Sequence, residues 1–577
     1  MNYKKLTTGI LAFAVAVTAS LPFATSATAQ LTGAELKGLR DALINNGAMT
    51  ESYDVNGDKV IDVFDLCAMR KALNAPGEVA EYNIPATEDY VKIMGRTCRI
   101  DDVTWLVQSG ASAEFNVTGT SATVTIAGDD NINSDENYRP RYAVFVDDEL
   151  VTDALMSTET LDVTLFEGTE TRTAKVKVIH LSEANNGAIG VKNIAVTSDR
   201  AVPVTPLPEN DLCIEFIGDS ITCAYGVEGA SAYEAFKTST ENFMKSYAYL
   251  TAEKLGADYS AVSYSGFGVV SGYTSSGDIN TDSLVPDCYG NVGKYGNYAV
   301  EWDFSKRKND VVVVNLGTND SGYVSKDPEN RSGEFIDAYV TFLKTIREKN
   351  PDAYIICTLG TMGCADVYEF IADAVEQYSS ETGDERIMSY LSTTQNQADG
   401  IGSDWHPSAV TQQKSAYVLA DKICNALGME SDQIGLDVAS EAEYILDFNS
   451  ADGANVSHYV DLQYAMSFWV NAVTSGDSID DVEAILSGIG LKEGGGYIFE
   501  FEYTSSNSFD MPVIIRSNSD ESVEYFRTEV STSSEKQHYS IEFTAPATDA
   551  DTSIVFQMGG YDSTNTTLSN IKLTKVS

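Results

Sequence analysis

The sequence predicts a multidomain chain built around an α/β/α sandwich with a parallel sheet, flanked on both sides by β-sandwiches. Three observations carry this. Between residues 212 and 428, apolar runs (214–217, 311–314, 354–359) alternate with helix-like stretches (243–255, 335–349, 367–378, 408–427), the pattern of a parallel sheet covered on both faces. Before and after this region, apolar residues alternate singly with polar ones, as in half-buried strands. The length, 577 residues, corresponds to about three to five folding units at roughly 100–200 residues each.

Taken from the amino terminus, Lys4 and Lys5, the apolar run 11–17 and Ala27-Thr28-Ala29 before Gln30 read as an export signal over residues 1–29. The run falls short of the ~20 residues that cross a bilayer. The expected mature protein is secreted and extracellular, with no membrane partner. Residues 31–75 form a small helical unit, with Leu36, Leu39 and Leu43 on one helical face and Leu66, Met69 and Leu73 on another. Residues 88–202 read as an all-β, jelly-roll-like sandwich, from Phe115 and Val117, Val124 and Ile126, and the stretches 142–146 and 174–179. Pro203, Pro206 and Pro208 mark a linker at its edge. Residues 440–577 return to strands at 497–503, 511–516, 539–545, 553–558 and 568–573.

The chain carries 85 acidic and 38 basic residues, a formal net charge of -47. Such a chain is repelled by nucleic acid and by anionic membrane, and suits a neutral partner such as a polysaccharide. Eight cysteines are scattered without a disulfide-scaffold or zinc spacing. They are expected as buried thiols, with Cys213 and Cys223 packing on either side of a central turn.

That turn is the strongest motif: Phe216-Ile217-Gly218-Asp219-Ser220-Ile221-Thr222, a buried strand ending in a glycine and then a serine. In open α/β sheets this end of a strand is where sites form. Three more blocks follow in order: Ser265-Gly266-Phe267-Gly268, Gly317-Thr318-Asn319-Asp320 and Asp404-Trp405-His406-Pro407. A serine hydroxyl is a weak nucleophile that needs an adjacent base, and imidazole serves near neutral pH. Of the four histidines, His180, His406, His458 and His538, only His406 lies within 212–428. Ser220 is therefore the expected nucleophile and His406 its base.

The four blocks resemble those of the SGNH (GDSL-type) hydrolase superfamily. The string 213–226, with Trp302-Asp303-Phe304 and 315–320, is similar to the family-two carbohydrate esterases, which also carry a β-sandwich ahead of the hydrolase domain. The resemblance covers about 88–428. It implies removal of O-acetyl groups from acetylated plant-wall polysaccharide, hemicellulose such as xylan or glucomannan, through an acetyl-enzyme on Ser220 and without a metal or organic cofactor. It also implies oxyanion donors at the backbone N–H groups of Ser220 and Gly266 and at the Asn319 side-chain amide. One position departs from the wider superfamily: many members place an aspartate three residues before the histidine, where this chain has Ser403. The nearest acid, Asp404, lies two before, and residues two apart on an extended segment share a face. Family-two esterases can work as a Ser–His dyad, so the expectation is that His406 Nδ1 donates to a main-chain carbonyl and that Asp404 is secondary. Trp302 and Tyr225 are the candidates for stacking on sugar, and Trp405 is expected to be structural.

Residues Asp54, Asn56, Asp58, Asp62 and Asp65 occupy positions 1, 3, 5, 9 and 12 of a calcium loop, and the Val60 carbonyl supplies position 7. Lys59 replaces the usual glycine at position 6, and position 12 is Asp in place of Glu. Loop plus helix resembles a dockerin, which implies structural calcium and a cohesin domain of a cellulosomal scaffold as partner. Residues 31–50 supply a helix but no second ligand set. Residues 440–577 resemble a family-four-type carbohydrate-binding module through 488–501 and 539–546, with Tyr464, Phe468 and Trp469 as candidates to line a sugar cleft. Two other readings stay open at this point: a lipolytic GDSL esterase or thioesterase, and a non-catalytic cell-wall-binding protein.

Overall fold

The computed structural model describes residues 33–577, apart from 46, 48–49, 57, 74, 76 and 463–465, so the expected export signal and Tyr464 lie outside the described residues. The described residues divide into two compact units, one of residues 33–78 with Asp199–Val202, the other Val79–Ser198 with Pro203–Ser577.

In the first unit, helices Gly33–Asn45 and Val63–Leu73 pack through Leu39, Met69 and Leu73, with Leu36, Leu43 and Leu66 beside them. These are the faces that the 3.6-residue period marks. The intervening loop turns at Lys59, whose φ of 67° is left-handed. A calcium loop places its glycine at this position, and a lysine adopts the conformation at a conformational cost. Buried Asp65 accepts from the amides of Val55, Asn56 and Asp62. Asp54 accepts from Lys59 N–H, Asp58 from Val60 N–H and Asp62 from Phe64 N–H. The loop carries oxygen donors of the right kind but turns them onto its own amides. Among the described residues, no three His, Cys, Asp or Glu side chains gather round one point where a metal could sit.

In the second unit, ten antiparallel strands from Ala80–Pro85 to Val204–Pro206 form one connected sheet whose apolar residues, including Phe115, Val117, Val124, Ile126 and Val176, meet in a single core. The domain extends past the expected 88–202 at both ends. Ala80–Pro85 pairs with Ile189–Ser198, and Val204–Pro206 pairs with Phe115–Val117. The proline-rich segment expected as a linker thus contributes a three-residue strand, a position where missing N–H groups are tolerated at a sheet edge.

The hydrolase-like region is a five-stranded parallel sheet in the order Asp258–Ser263, Cys213–Gly218, Val311–Asn315, Tyr354–Leu359, Ile387–Leu391. Alternate residues face opposite layers. Val312 and Val314 meet helices Pro328–Lys349 and Ala365–Thr382. Val311 and Val313 meet Tyr247–Leu255 and Ala409–Leu427. The helix expected from 335 starts two turns earlier because Pro328 fits the first helical turn, where no N–H is needed. Glu215 interrupts the apolar run of Cys213–Gly218, and its partner comes from the preceding domain: fully buried Arg96 lies 2.8 Å away. Lys92 and Asp258 form a second such pair at 2.6 Å. One buried charge without the other would be strongly destabilising, so these pairs couple the β domain to the α/β domain.

Residues beyond 440 form two antiparallel five-stranded sheets over a shared core. The five expected strands are present, accompanied by five more: Glu443–Phe448, Asn455–Asp461, Ser467–Thr474, Val482–Leu491 and Glu524–Ser531. Phe468 does not line a cleft: it is fully buried in that core, while Trp469, one residue on, faces outward beside Tyr459 with ring centroids 5.3 Å apart. All eight cysteines are free thiols, of which Cys67 is exposed and Cys98 and Cys364 are half-buried. No helix among the described residues is long and apolar enough to cross a membrane.

Candidate active site

The sheet order places the first strand of the α/β domain, Cys213–Gly218, between its successors Asp258–Ser263 and Val311–Asn315. The chain therefore winds away in both directions from the end of this strand. Such a switch point opens a crevice at the strands' carboxyl ends. The three blocks Gly218–Ser220, Ser265–Gly266 and Gly317–Asp320 all leave the sheet there. Gly218 is required by space, since a Cβ would lie 2.0 Å from Thr222 Oγ1. Asp219 caps the short helix Ser220–Cys223 by accepting from Ile221 N–H at 3.0 Å, which holds Ser220 at the helix start.

His406 reaches this serine across 186 residues of chain. Its Nε2 lies 2.8 Å from Ser220 Oγ, and its Nδ1 lies 2.9 Å from the main-chain oxygen of Asp404. A carbonyl oxygen only accepts, so Nδ1 carries the proton and Nε2 is left to accept from the serine hydroxyl. The carbonyl is aimed by unusual backbone. Asp404 and Trp405 are consecutive left-handed residues, φ 52° and 64°, a conformation costing about 1–3 kcal/mol each. Hydrogen bonds on all sides hold it: Ser403 N–H to Gly226 O, Asp404 N–H to Glu234 O, Gly402 N–H to His406 O and Gln395 Nε2 to Trp405 O. The Asp404 carboxylate stays exposed and, among the described residues, accepts only from the Tyr225 hydroxyl, at 3.5 Å. Burial lowers the His406 pKa below its usual value, offset in part by the Asp404 carbonyl and charge.

Gly266 adopts φ 82°, and a Cβ there would touch nothing nearer than 4.0 Å, so backbone conformation rather than crowding calls for glycine. Among the described residues neither its N–H nor that of Ser220 has a protein acceptor. The Gly268 amide, by contrast, is taken by Ser283 O. Asn319 is buried beside them. Its Nδ2 donates to Phe267 O at 2.8 Å and to Asp219 Oδ2 at 3.2 Å, so both amide hydrogens have acceptors. Asp219 is fully buried, and that burial, with the charge of Asp320 nearby, pushes its pKa up to about 7. Asp320 accepts from the amides of Val269, Val270 and Ser271, which pins the loop following Gly266, and burial raises its own pKa to about 6.

The aromatic candidates separate. Tyr225 lies against the His406 ring, centroids 4.3 Å apart, and its other face stacks on Phe236 at 3.8 Å. Trp302 is half-buried and packs against Val107, Ala188 and Val292. Trp405, expected as structural, is 44% exposed and meets the 85% exposed Tyr233 edge to face at 5.1 Å. Sequence patterning carries no sign of Phe236 or Tyr233, which lie in a loop without periodicity.

A hydroxyl bonded to a neutral imidazole, with free amides and a carboxamide alongside, is an arrangement suited to acyl transfer. Comparisons with known proteins agree. Residues 216–414 match the GDSL-like lipase/acylhydrolase family, and residues 93–206 match the carbohydrate esterase 2 N-terminal domain. The chain is 32% identical over 324 residues to the cellulase/esterase CelE of Acetivibrio thermocellus, covering 56% of this chain but 37% of that protein. It is 26% identical over 331 residues to an acetylxylan esterase/glucomannan deacetylase of Cellvibrio japonicus, covering 57% of this chain and 86% of that one. A family-two carbohydrate esterase from Clostridium thermocellum, solved with cellohexaose, is 29% identical with a TM-score of 0.51, over 59% of this chain and 99% of that one. Residues 216–414 are thus similar to the GDSL-like hydrolases and residues 93–206 to the N-terminal domain of carbohydrate esterase 2, and the chain spans about a third of the length of the first of these relatives.

Proposed function

We propose that the protein is a serine carbohydrate esterase that removes O-acetyl groups from hemicellulose, xylan or glucomannan. The observation that carries this is the Ser220–His406 hydrogen bond of 2.8 Å beside the Gly266 amide. In the proposed cycle Ser220 Oγ attacks the acetyl carbonyl as His406 Nε2 takes its proton. His406 returns that proton to the departing sugar oxygen. Water, deprotonated by His406, then releases acetate from Ser220. The Asp404 carbonyl keeps the imidazole in the required tautomer throughout. Acylation passes through an oxyanion that faces the amides of Ser220 and Gly266 and the Asn319 carboxamide. The exposed rings of Tyr233 and Trp405 offer flat apolar faces on which sugar rings stack, whereas Tyr225, expected there, has its two faces taken by His406 and Phe236. The test is acetate release from acetylated xylan, acetylated glucomannan and long-chain esters. Faster release from the polysaccharides is the expected result, and a preference for long-chain esters would instead support a lipolytic enzyme.

The pattern at residues 1–30 supports export. The loop at Asp54, Asn56, Asp58, Val60, Asp62 and Asp65 supports calcium binding, and a cohesin is the partner that a dockerin-like unit would take. Calcium is expected to bind the full chain in titration calorimetry and to lose that binding in Asp54→Ala; an unchanged isotherm in the variant would remove this loop as the site.

A further inference from the structure

The N-terminal β domain sends a short loop into the α/β domain, and that loop ends at the oxyanion pocket. It runs from Glu183 through the 3-10 turn Ala184–Asn186. Ala184 packs into the hydrolase core. Glu183 is 2% exposed and its Oε2 accepts from Ser265 N–H at 2.8 Å. Asn185 Nδ2 donates to that same Glu183 oxygen at 2.9 Å and to the Ser265 carbonyl at 3.4 Å. Both neighbours of this nitrogen are acceptors, so the carboxamide cannot be flipped without facing oxygen to oxygen. Glu183 is itself anchored, since its own N–H donates to Glu241 Oε2 at 3.1 Å.

The Ser265 carbonyl and the Gly266 N–H belong to one peptide unit. In a trans peptide these two groups point in opposite directions. Whatever holds the carbonyl therefore aims the N–H. Ser265 and Gly266 are the central residues of a turn that Phe267 N–H closes on Tyr264 O, and Gly266 at φ 82° has more backbone freedom than any other residue type, so the peptide between them can flip with that closing bond intact unless its own carbonyl is held.

Resting on the acyl-transfer reading above, we propose that Glu183 and Asn185 of the N-terminal domain are positioning residues for the oxyanion site, clamping the Ser265–Gly266 peptide so that Gly266 N–H meets the acetyl oxygen. The N-terminal domain then completes the active site from outside the hydrolase domain. Its sheet brings Glu183 and Asn185 into place, and the buried Arg96–Glu215 pair keeps the two domains in register.

The test compares native protein with Asn185→Ala, Glu183→Ala and Glu183→Gln on 4-nitrophenyl acetate, a substrate that does not depend on which polysaccharide is recognised. Removing an oxyanion donor lowers kcat by roughly 10²–10³ in such sites, so a misaimed donor is expected to lower it by about 10–100-fold. Asn185→Ala should show that loss in kcat, with KM within about twofold and an unchanged melting temperature. Glu183→Gln, which keeps an acceptor for Ser265 N–H, should retain most of the activity that Glu183→Ala loses. Asn185→Ala with native kcat, or a loss confined to KM, would overturn the proposal. The substrate reading fails separately: native protein that hydrolyses 4-nitrophenyl acetate but releases no acetate from polysaccharide leaves the clamp standing. Native protein that neither hydrolyses the small ester nor reacts with a fluorophosphonate overturns both.

Discussion

Ser220→Ala is expected to lower turnover by a factor of about 10⁴ or more, and His406→Ala by a similar factor, because nucleophile and base act as a unit. Asp404→Ala is the informative contrast. The group that orients His406 is the Asp404 main-chain oxygen at 2.9 Å, and alanine keeps it. Turnover should therefore stay within roughly tenfold of native, with a small loss of stability because Asp tolerates the left-handed conformation better than Ala. Loss in Asp404→Ala as complete as in Ser220→Ala would show that the carboxylate, not the carbonyl, supports the histidine. The pH profile gives an independent check. In the proposed cycle neutral His406 is the active form, and burial depresses its pKa, so kcat/KM should fall on the acid side only below about pH 6.5, the unperturbed histidine value. A midpoint above that value would contradict a desolvated imidazole.

Asn319→Ala is expected to cost about 10²–10³ in kcat with a smaller change in KM, the magnitude usual for one oxyanion donor. Its amide is engaged at rest, by Phe267 O at 2.8 Å and Asp219 Oδ2 at 3.2 Å. The longer of the two is the one a developing oxyanion displaces more readily. Asp219 has a second consequence, through pH. Its folded pKa, about 7, lies above the unfolded carboxylate value near 4. Folded protein thus holds a proton between these values that unfolded protein has lost. This group's contribution to stability is full below about pH 4 and declines as pH rises towards 7. Asp219→Asn should lessen that decline, measured as the melting temperature at pH 5 and pH 8. An identical pH dependence in native and variant would refute the assignment.

The strand–helix alternation was legible because a parallel sheet buried on both faces needs continuous apolar runs, and 214–217 and 311–314 supply them. Ser220 and His406 were legible for a chemical reason, as one serine turn and one histidine within the region. The main-chain support for that histidine followed from Ser403 standing where an acid is usual. The proline-bearing strand Val204–Pro206 escaped because its signal is that of a linker. Phe468 and Trp469 were both expected at a sugar cleft, but neighbours on a strand face opposite ways, so only one of them could be there, and Phe468 is the one in the core. Trp302 packs and Trp405 is exposed, the reverse of what was expected, since an isolated aromatic has the same appearance in sequence whether it packs or waits for a ligand.

By itself, the sequence determined the layered α/β architecture, the four blocks at the strand ends, and the identity of the hydroxyl and imidazole that meet there. These depend on local pattern and residue chemistry. Only the tertiary structure decided which oxygen holds His406, that Asn319 is engaged before substrate arrives, and that Glu183 and Asn185 reach the Ser265–Gly266 peptide. Each of these is a hydrogen bond whose direction depends on backbone dihedrals or on the packing of one domain against another, across separations of up to 100 residues, and no periodicity in a chain encodes such a direction.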